Sequence, residues 1–118
     1  MLERILRATV NTWNGLLAAA RSEAAFRQEL AALALAIPLA FVVATEPWKR
    51  LVLIVAVLLI LAVELLNTAI EKLCDHVTTA ANPTIGRIKD MGSAAVGVML
   101  ALAGLIWLVA LGERLGFW

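Results

Sequence analysis

Three apolar runs, Leu30 to Thr45, Leu51 to Leu66 and Ala94 to Leu111, constrain this chain before anything else does. Each approaches the ~20 residues that an α-helix needs to cross a bilayer. In hydrocarbon every backbone N–H and C=O has to be satisfied within the chain, so isolated spans of this length are helices. Hydrophobic residues make up 63% of the 118, and the mean hydropathy is +0.92. That leaves too little polar surface for a water-soluble domain. The expected fold class is all-α integral membrane with three transmembrane helices, and the length limits it to one domain, 1–118.

The segment before the first run reads differently. Leu2, Ile5, Leu6, Val10, Trp13, Leu16 and Leu17 fall on one helical face, with Glu3, Arg4, Arg7, Asn11 and Asn14 opposite. This pattern predicts an amphipathic surface helix over 1–21, lying on the membrane rather than crossing it. Acidic Glu3 and the lack of a continuous apolar stretch before Arg21 argue against a secretory signal. The remaining helices are expected at about 23–46, 48–76 and 83–112. Ser22 is placed to cap the first of these, Pro38 to kink it, and Glu46 to Arg50 to form a tight hairpin with Trp48 as an interfacial anchor. Glu23 and Arg27, one turn apart, are a candidate ion pair. Asn82-Pro83 marks a turn before the third span.

Orientation follows from basic residues. Three spans place Arg4, Arg7, Arg21, Arg27, Lys72, Arg87 and Lys89 on one side and Lys49, Arg50 and Arg114 on the other. Basic residues concentrate on the cytoplasmic side, so the N terminus is expected there and the C terminus on the opposite side. A net charge of +1 without a basic cluster argues against nucleic acid as a partner. Cys74 is the only cysteine, so no disulfide can form within the chain.

The polar groups that leave the second span carry the chemistry. At about 100° per residue, Asn67, Glu71 and Asp75 lie within roughly 60° of Glu64 on one helical face. A solvated face would account for Asp75 as well as a functional role does. Glu64 is different, because it follows the run Leu51 to Val63 and precedes Leu65 and Leu66. An ionisable group in or near lipid is costly and marks a functional site by default. Carboxylates at i and i+7 are oxygen ligands of the kind a hard cation such as magnesium takes, although spacing alone does not establish a metal.

At the start of the third span, Lys89 and Asp90 form a second polar group opposite this stripe. Ser93, Gly97 and Ala101, four residues apart, would let another helix approach closely in lipid. There is no Walker-type glycine loop, no kinase catalytic-loop triplet and no nucleophile elbow. Cys74 and His76 lack the further ligands that zinc requires. Any nucleotide site has to be built from helices.

Three stretches together resemble the bacterial integral-membrane diacylglycerol kinase family: Glu23-Ala24-Ala25-Phe26-Arg27-Gln28-Glu29, Glu64-x-x-Asn67-x-Ala69-Ile70-Glu71 with Asp75, and Lys89-Asp90-Met91-Gly92-Ser93-Ala94-Ala95. They occur in the family's order, need no gap and cover nearly the whole chain. The resemblance implies a homotrimer with active sites shared between chains, in the bacterial inner membrane. The resemblance further implies an activity that would transfer the γ-phosphoryl group of MgATP to the hydroxyl of diacylglycerol. Glu64 would be the general base, Glu23 and Glu71 the Mg2+ ligands, and Asn67 and Asp75 supporting residues. Arg4, Asn11, Glu23, Glu71, Lys89 and Asp90 would contact ATP. Arg4, Trp13, Ala25, Phe26, Arg27, Gln28, Glu29, Glu64 and Ser93 would meet the lipid substrate. Asn11 stands where the best-known Gram-negative members carry an aromatic residue, so base stacking is not implied.

Two other readings stay open on sequence alone. An undecaprenol kinase of the same family would share this chemistry, although Met91-Gly92-Ser93 resembles the diacylglycerol type more closely. A small multidrug exporter would also carry one membrane glutamate. It would have no use for Asn67, Glu71 and Asp75 continuing into water, or for Lys89-Asp90.

Overall fold

Two prolines fix where the long helices begin. Pro47 and Pro83 each stand at a helix start, where a missing N–H leaves no bond unmade and the ring presets the backbone. The computed structural model describes residues 1–118 as four helices: α1 (Leu2–Ser22), α2 (Ala24–Val43), α3 (Pro47–Val77) and α4 (Pro83–Arg114). The last three are long and apolar enough to cross a membrane. At 31 residues α3 is about 46 Å long, more than the ~30 Å hydrocarbon core, so its polar final turns extend beyond it.

The junctions differ from the expected ones. Ser22 does not cap α2: it ends α1, and its hydroxyl donates back to the Ala18 carbonyl at 2.9 Å. Glu23 is instead the extended residue between the helices (φ −117°, ψ 113°). The Glu23–Arg27 pair does not form either. The Arg27 guanidinium donates to the Ala20 and Arg21 carbonyls at 2.9 and 3.3 Å, which leaves Glu23 free to pair elsewhere. Those carbonyls lack helical partners at the end of α1, so a guanidinium gains more there. No hairpin spans Glu46 to Arg50, because Pro47 starts α3 and only Ala44 to Glu46 link it to α2. Pro38 leaves α2 unbroken. Asn82 behaves as its sequence suggests, its side-chain oxygen accepting from the Thr84 and Ile85 amides at 2.9 and 3.1 Å.

Helix α3 is the central element, with α4 on one flank and α2 on the other. Ala56, Ile60 and Ala103 form a small core between α3 and α4. Phe26, Ala19 and Leu61 form another where α1, α2 and α3 meet. A third, of Ala40, Ala44 and Leu53, lies at the far end, where Trp107 donates to the Leu53 carbonyl at 3.1 Å. There Arg50 and Arg114 donate to the Ala44 and Val42 carbonyls at 2.8 and 3.1 Å, satisfying the last turn of α2. Only 15 of 118 residues are buried, so most of the apolar surface of α2, α3 and α4 faces outward. That is the arrangement expected of helices surrounded by lipid or by further helices.

Candidate active site

The candidate site lies at the end of the bundle where α3 leaves its apolar stretch. Helical periodicity carries Glu64, Asn67 and Glu71 down one side of α3, and the α1–α2 junction brings Glu23 against it. The Lys72 ammonium lies 3.2 Å from the Glu23 carboxylate and ties the junction to α3 one residue from Glu71. Glu64 is half-buried and lies within the fields of the Glu71 and Glu23 charges, and Glu29 on α2 lies within that of Glu64. Four carboxylates from three elements thus share one region.

Asn67 is buried beside Glu71 in this region. It is 8% exposed, and its side-chain nitrogen donates to Glu71 at 3.3 Å. Its side-chain oxygen is buried without a hydrogen-bond partner, as is one oxygen of Glu29. The Asn67 oxygen points at Gly92 on α4, where a Cβ would collide with it. Glycine therefore lets α4 close on α3 at this height with Asn67 in this orientation. One turn below, Lys89 on α4 meets Asp75 on α3 at 2.5 Å. The two polar groups read from the sequence are in direct contact.

Other site candidates sit apart. Phe26, at 2% exposure, is packed against Ala19 and Leu61 and forms a wall rather than open surface. Ala25, Arg27 and Gln28 are exposed in the first turns of α2. Trp13 is exposed on the apolar face of α1. Asn11 lines a cavity of about 380 Å3 between α1 and α3, with Thr12, Thr68 and Lys72 as its other polar residues. Arg4 and Asn11 share a second concavity with Arg7 on the polar face of α1. Asp90 and Ser93 are exposed on a face of α4 that continues through Gly97 and Ala101, and a Cβ at Gly97 would meet nothing within 4 Å. Within one chain, Asp90 and Ser93 are not brought to the carboxylates.

Sequence reasoning missed Lys72, Thr68 and the specific role of Gly92. Lys72 falls on the α1-facing side of α3, about 80° from Glu64, so it lies outside the stripe that drew notice. Gly92 was legible only as part of a longer motif.

A divalent ion such as Mg2+ fits the donor set. It is usually held by one or two carboxylates together with substrate phosphates, not by a closed protein cage. No three His, Cys, Asp or Glu residues are grouped closely enough here to hold a metal ion by themselves. Glu23 already draws a cation, the Lys72 ammonium. Chemically, the region offers a half-buried carboxylate at the apolar boundary and two further carboxylates for a cation.

The chain is similar to known proteins along most of its length. The family model for prokaryotic diacylglycerol kinase matches residues 10–111. A diacylglycerol kinase of Escherichia coli (strain K12) is 41% identical over 113 residues, covering 96% of this chain and 93% of that one. One from Pseudomonas aeruginosa is 44% identical over 106 residues, covering 90% and 86%. One from Haemophilus influenzae is 36% identical over 106 residues, covering 90% of each. Since the match runs from the middle of α1 nearly to the end of α4, with all the carboxylates of the site inside it, this chain belongs to the prokaryotic diacylglycerol kinase family.

Proposed function

We propose that this chain is a membrane-embedded lipid kinase that moves the γ-phosphoryl group of ATP to the hydroxyl of diacylglycerol, giving phosphatidic acid. The observation that carries the reading is a half-buried Glu64 at the end of the apolar part of α3, within the fields of the Glu23 and Glu71 charges, in a chain of this family. A lipid hydroxyl at the depth of the glycerol backbone and a nucleotide from water can meet only at such a boundary. Glu64 takes the proton from the hydroxyl as its oxygen bonds to the γ-phosphorus and the bond to the bridging oxygen breaks, so ADP leaves and the proton stays on Glu64. Glu23 and Glu71 would hold Mg2+, whose chemistry is to draw charge off the phosphates. Asn67 orients Glu71, and Asp75 orients Lys89 toward the nucleotide.

Arg4, Asn11, Lys89 and Asp90 are the further nucleotide contacts of this reading. Trp13, Ala25, Arg27, Gln28, Glu29 and Ser93 line the lipid's approach, with Phe26 as the wall behind. The exposed face of Asp90, Ser93, Gly97 and Ala101 supports a homotrimer in which α4 of one chain completes the site of another, because small residues let helices approach in lipid. Orientation in the inner membrane rests on the basic residues, with the N terminus cytoplasmic. The three at the far end are all engaged: Lys49 with Glu46 and Glu113, and Arg50 and Arg114 with α2 carbonyls. The relatives are named for diacylglycerol, so undecaprenol is not favoured, and family membership sets the exporter reading aside. The test is transfer of a radiolabelled γ-phosphate with diacylglycerol and undecaprenol offered side by side. Label on diacylglycerol is expected, and label on undecaprenol alone would overturn the reading.

A further inference from the structure

Among the cations at this end of the bundle, Lys72 occupies an unusual place. Lys89 is paired with Asp75, and Arg27 is held by backbone carbonyls, so neither makes an ion pair with Glu23, Glu64 or Glu71, although the Lys89 charge is felt at Glu71. Lys72 meets Glu23 at 3.2 Å, and its sequence neighbour is Glu71. The Glu23 side chain is 28% exposed and that of Lys72 59% exposed, so the carboxylate is the more sequestered partner and the ammonium the one free to leave. Lys72 is also the only charged residue lining the cavity between α1 and α3, whose other polar groups are Asn11, Thr12 and Thr68. It therefore already lines a partly enclosed space that no other charged residue lines, mostly apolar but with the Asn11, Thr12 and Thr68 side chains in its wall.

We propose that Lys72 is a built-in counter-cation for Glu23, which a divalent ion must displace before Glu23 can act as its ligand. This rests on the reading of Glu23 and Glu71 as the metal pair. The contact keeps the α1–α2 junction closed on α3 in the empty protein, where Glu23, Glu29, Glu64 and Glu71 would otherwise repel one another. The same contact raises the concentration of divalent ion needed to fill the site. A lysine suits such exchange, because its ammonium is a compact point charge on a flexible stem that makes no two-pronged grip on a carboxylate.

The test is direct binding of Mn2+ to the purified full-length protein in lipid nanodiscs without nucleotide, followed by electron paramagnetic resonance. Lys72→Met and Lys72→Gln are expected to tighten Mn2+ binding by about two- to five-fold, the factor by which a pair of this exposure shifts an equilibrium. Lys72→Arg retains the charge and should stay within two-fold of the original chain. Arg21→Met removes a charge two residues from Glu23 without touching the pair, and should change binding less than Lys72→Met does. The gain should also shrink as salt screens the pair. Unchanged or weaker binding in both neutral Lys72 variants, or an equal gain from Arg21→Met, overturns the proposal. Glu23→Gln separates the two ideas. If it weakens Mn2+ binding while the Lys72 variants do nothing, the metal reading stands and the counter-cation fails; if Glu23→Gln binds Mn2+ unchanged, both fail.

Discussion

Replacing Gly92 with alanine puts a methyl group where the Asn67 side-chain oxygen now lies, with the Asn67 Cγ at 3.4 Å and the Ile70 Cδ1 at 3.9 Å from it. Two responses are open. Either α4 backs away from α3, or Asn67 turns and gives up its hydrogen bond to Glu71. Overpacking by one methyl costs about 1–3 kcal/mol. Losing a hydrogen bond to a charged group costs about 1.5–3 kcal/mol, and the 3.3 Å separation puts this one at the low end. Helix propensity offsets up to ~1 kcal/mol of either cost, so Gly92→Ala should lower stability by up to about 2 kcal/mol, and the turn of Asn67 should loosen Glu71. Unfolding in mixed micelles, with denaturing detergent titrated against far-ultraviolet circular dichroism, measures the first effect. The magnesium concentration for half-maximal turnover measures the second, which should rise. Gly86→Ala is the control, because a Cβ there meets nothing within 4 Å and alanine gains up to ~1 kcal/mol of helix propensity. Adding Asn67→Ala removes the obstructing oxygen, so the double variant should be less destabilised than the sum of the singles by about 0.5–3 kcal/mol. If Gly92→Ala matches the original chain in both stability and magnesium requirement, the contact between Gly92 and Asn67 does not position Glu71.

Three further outcomes are expected. Cysteine labelling in a chain with Cys74 replaced should reach the 78–82 connection from the cytoplasmic side and position 118 from the other; labelling of both from one side would sink the three-span topology. Mixing an inactive Glu64→Gln chain with an inactive Asp90→Asn chain, with subunit exchange demonstrated, should restore part of the activity. Absence of recovery would mean that each chain completes its own site. Trp118→Ala removes a ring packed on Gly112 and a bond from its indole nitrogen to the Val109 carbonyl, so stability should fall by about 1 kcal/mol with turnover per folded protein unchanged, as circular dichroism melting and phosphate transfer would register.

Much of this was legible because a bilayer leaves a chain few options. The apolar runs, the amphipathic pattern from Leu2 to Leu17 and Asn82-Pro83 marked all four helices, since each reports on one element and its solvent. The Glu64 to Asp75 stripe was legible for the same reason: four residues on one helix share a face wherever that helix packs. Junction chemistry was not. Ser22 could cap α2 or bond back into α1, and α1 continues through it, so the hydroxyl meets the Ala18 carbonyl. Arg27 could reach Glu23 or the open carbonyls of α1, and Lys72 could reach Glu23 or water. Both choices depend on the angle at which α1 meets the bundle. Gly92 gains its meaning only from the Asn67 oxygen across an interface, a contact that no spacing within one helix reveals.

The central claim is that Glu64 moves the proton while Glu71 holds the metal, and comparing Glu64→Gln with Glu71→Gln across a magnesium titration tests it most directly. Both variants would be assayed for phosphate transfer to diacylglycerol in one lipid mixture, after confirming that each assembles. Glutamine at position 64 keeps size and hydrogen bonding but cannot take the proton, so turnover should fall on the order of 100-fold or more, with the magnesium and ATP requirements little changed. Glutamine at position 71 removes an anionic ligand, so the magnesium requirement should rise and added magnesium should recover part of the rate. Near-normal turnover in Glu64→Gln, or recovery of that variant by excess magnesium, would contradict the assignment.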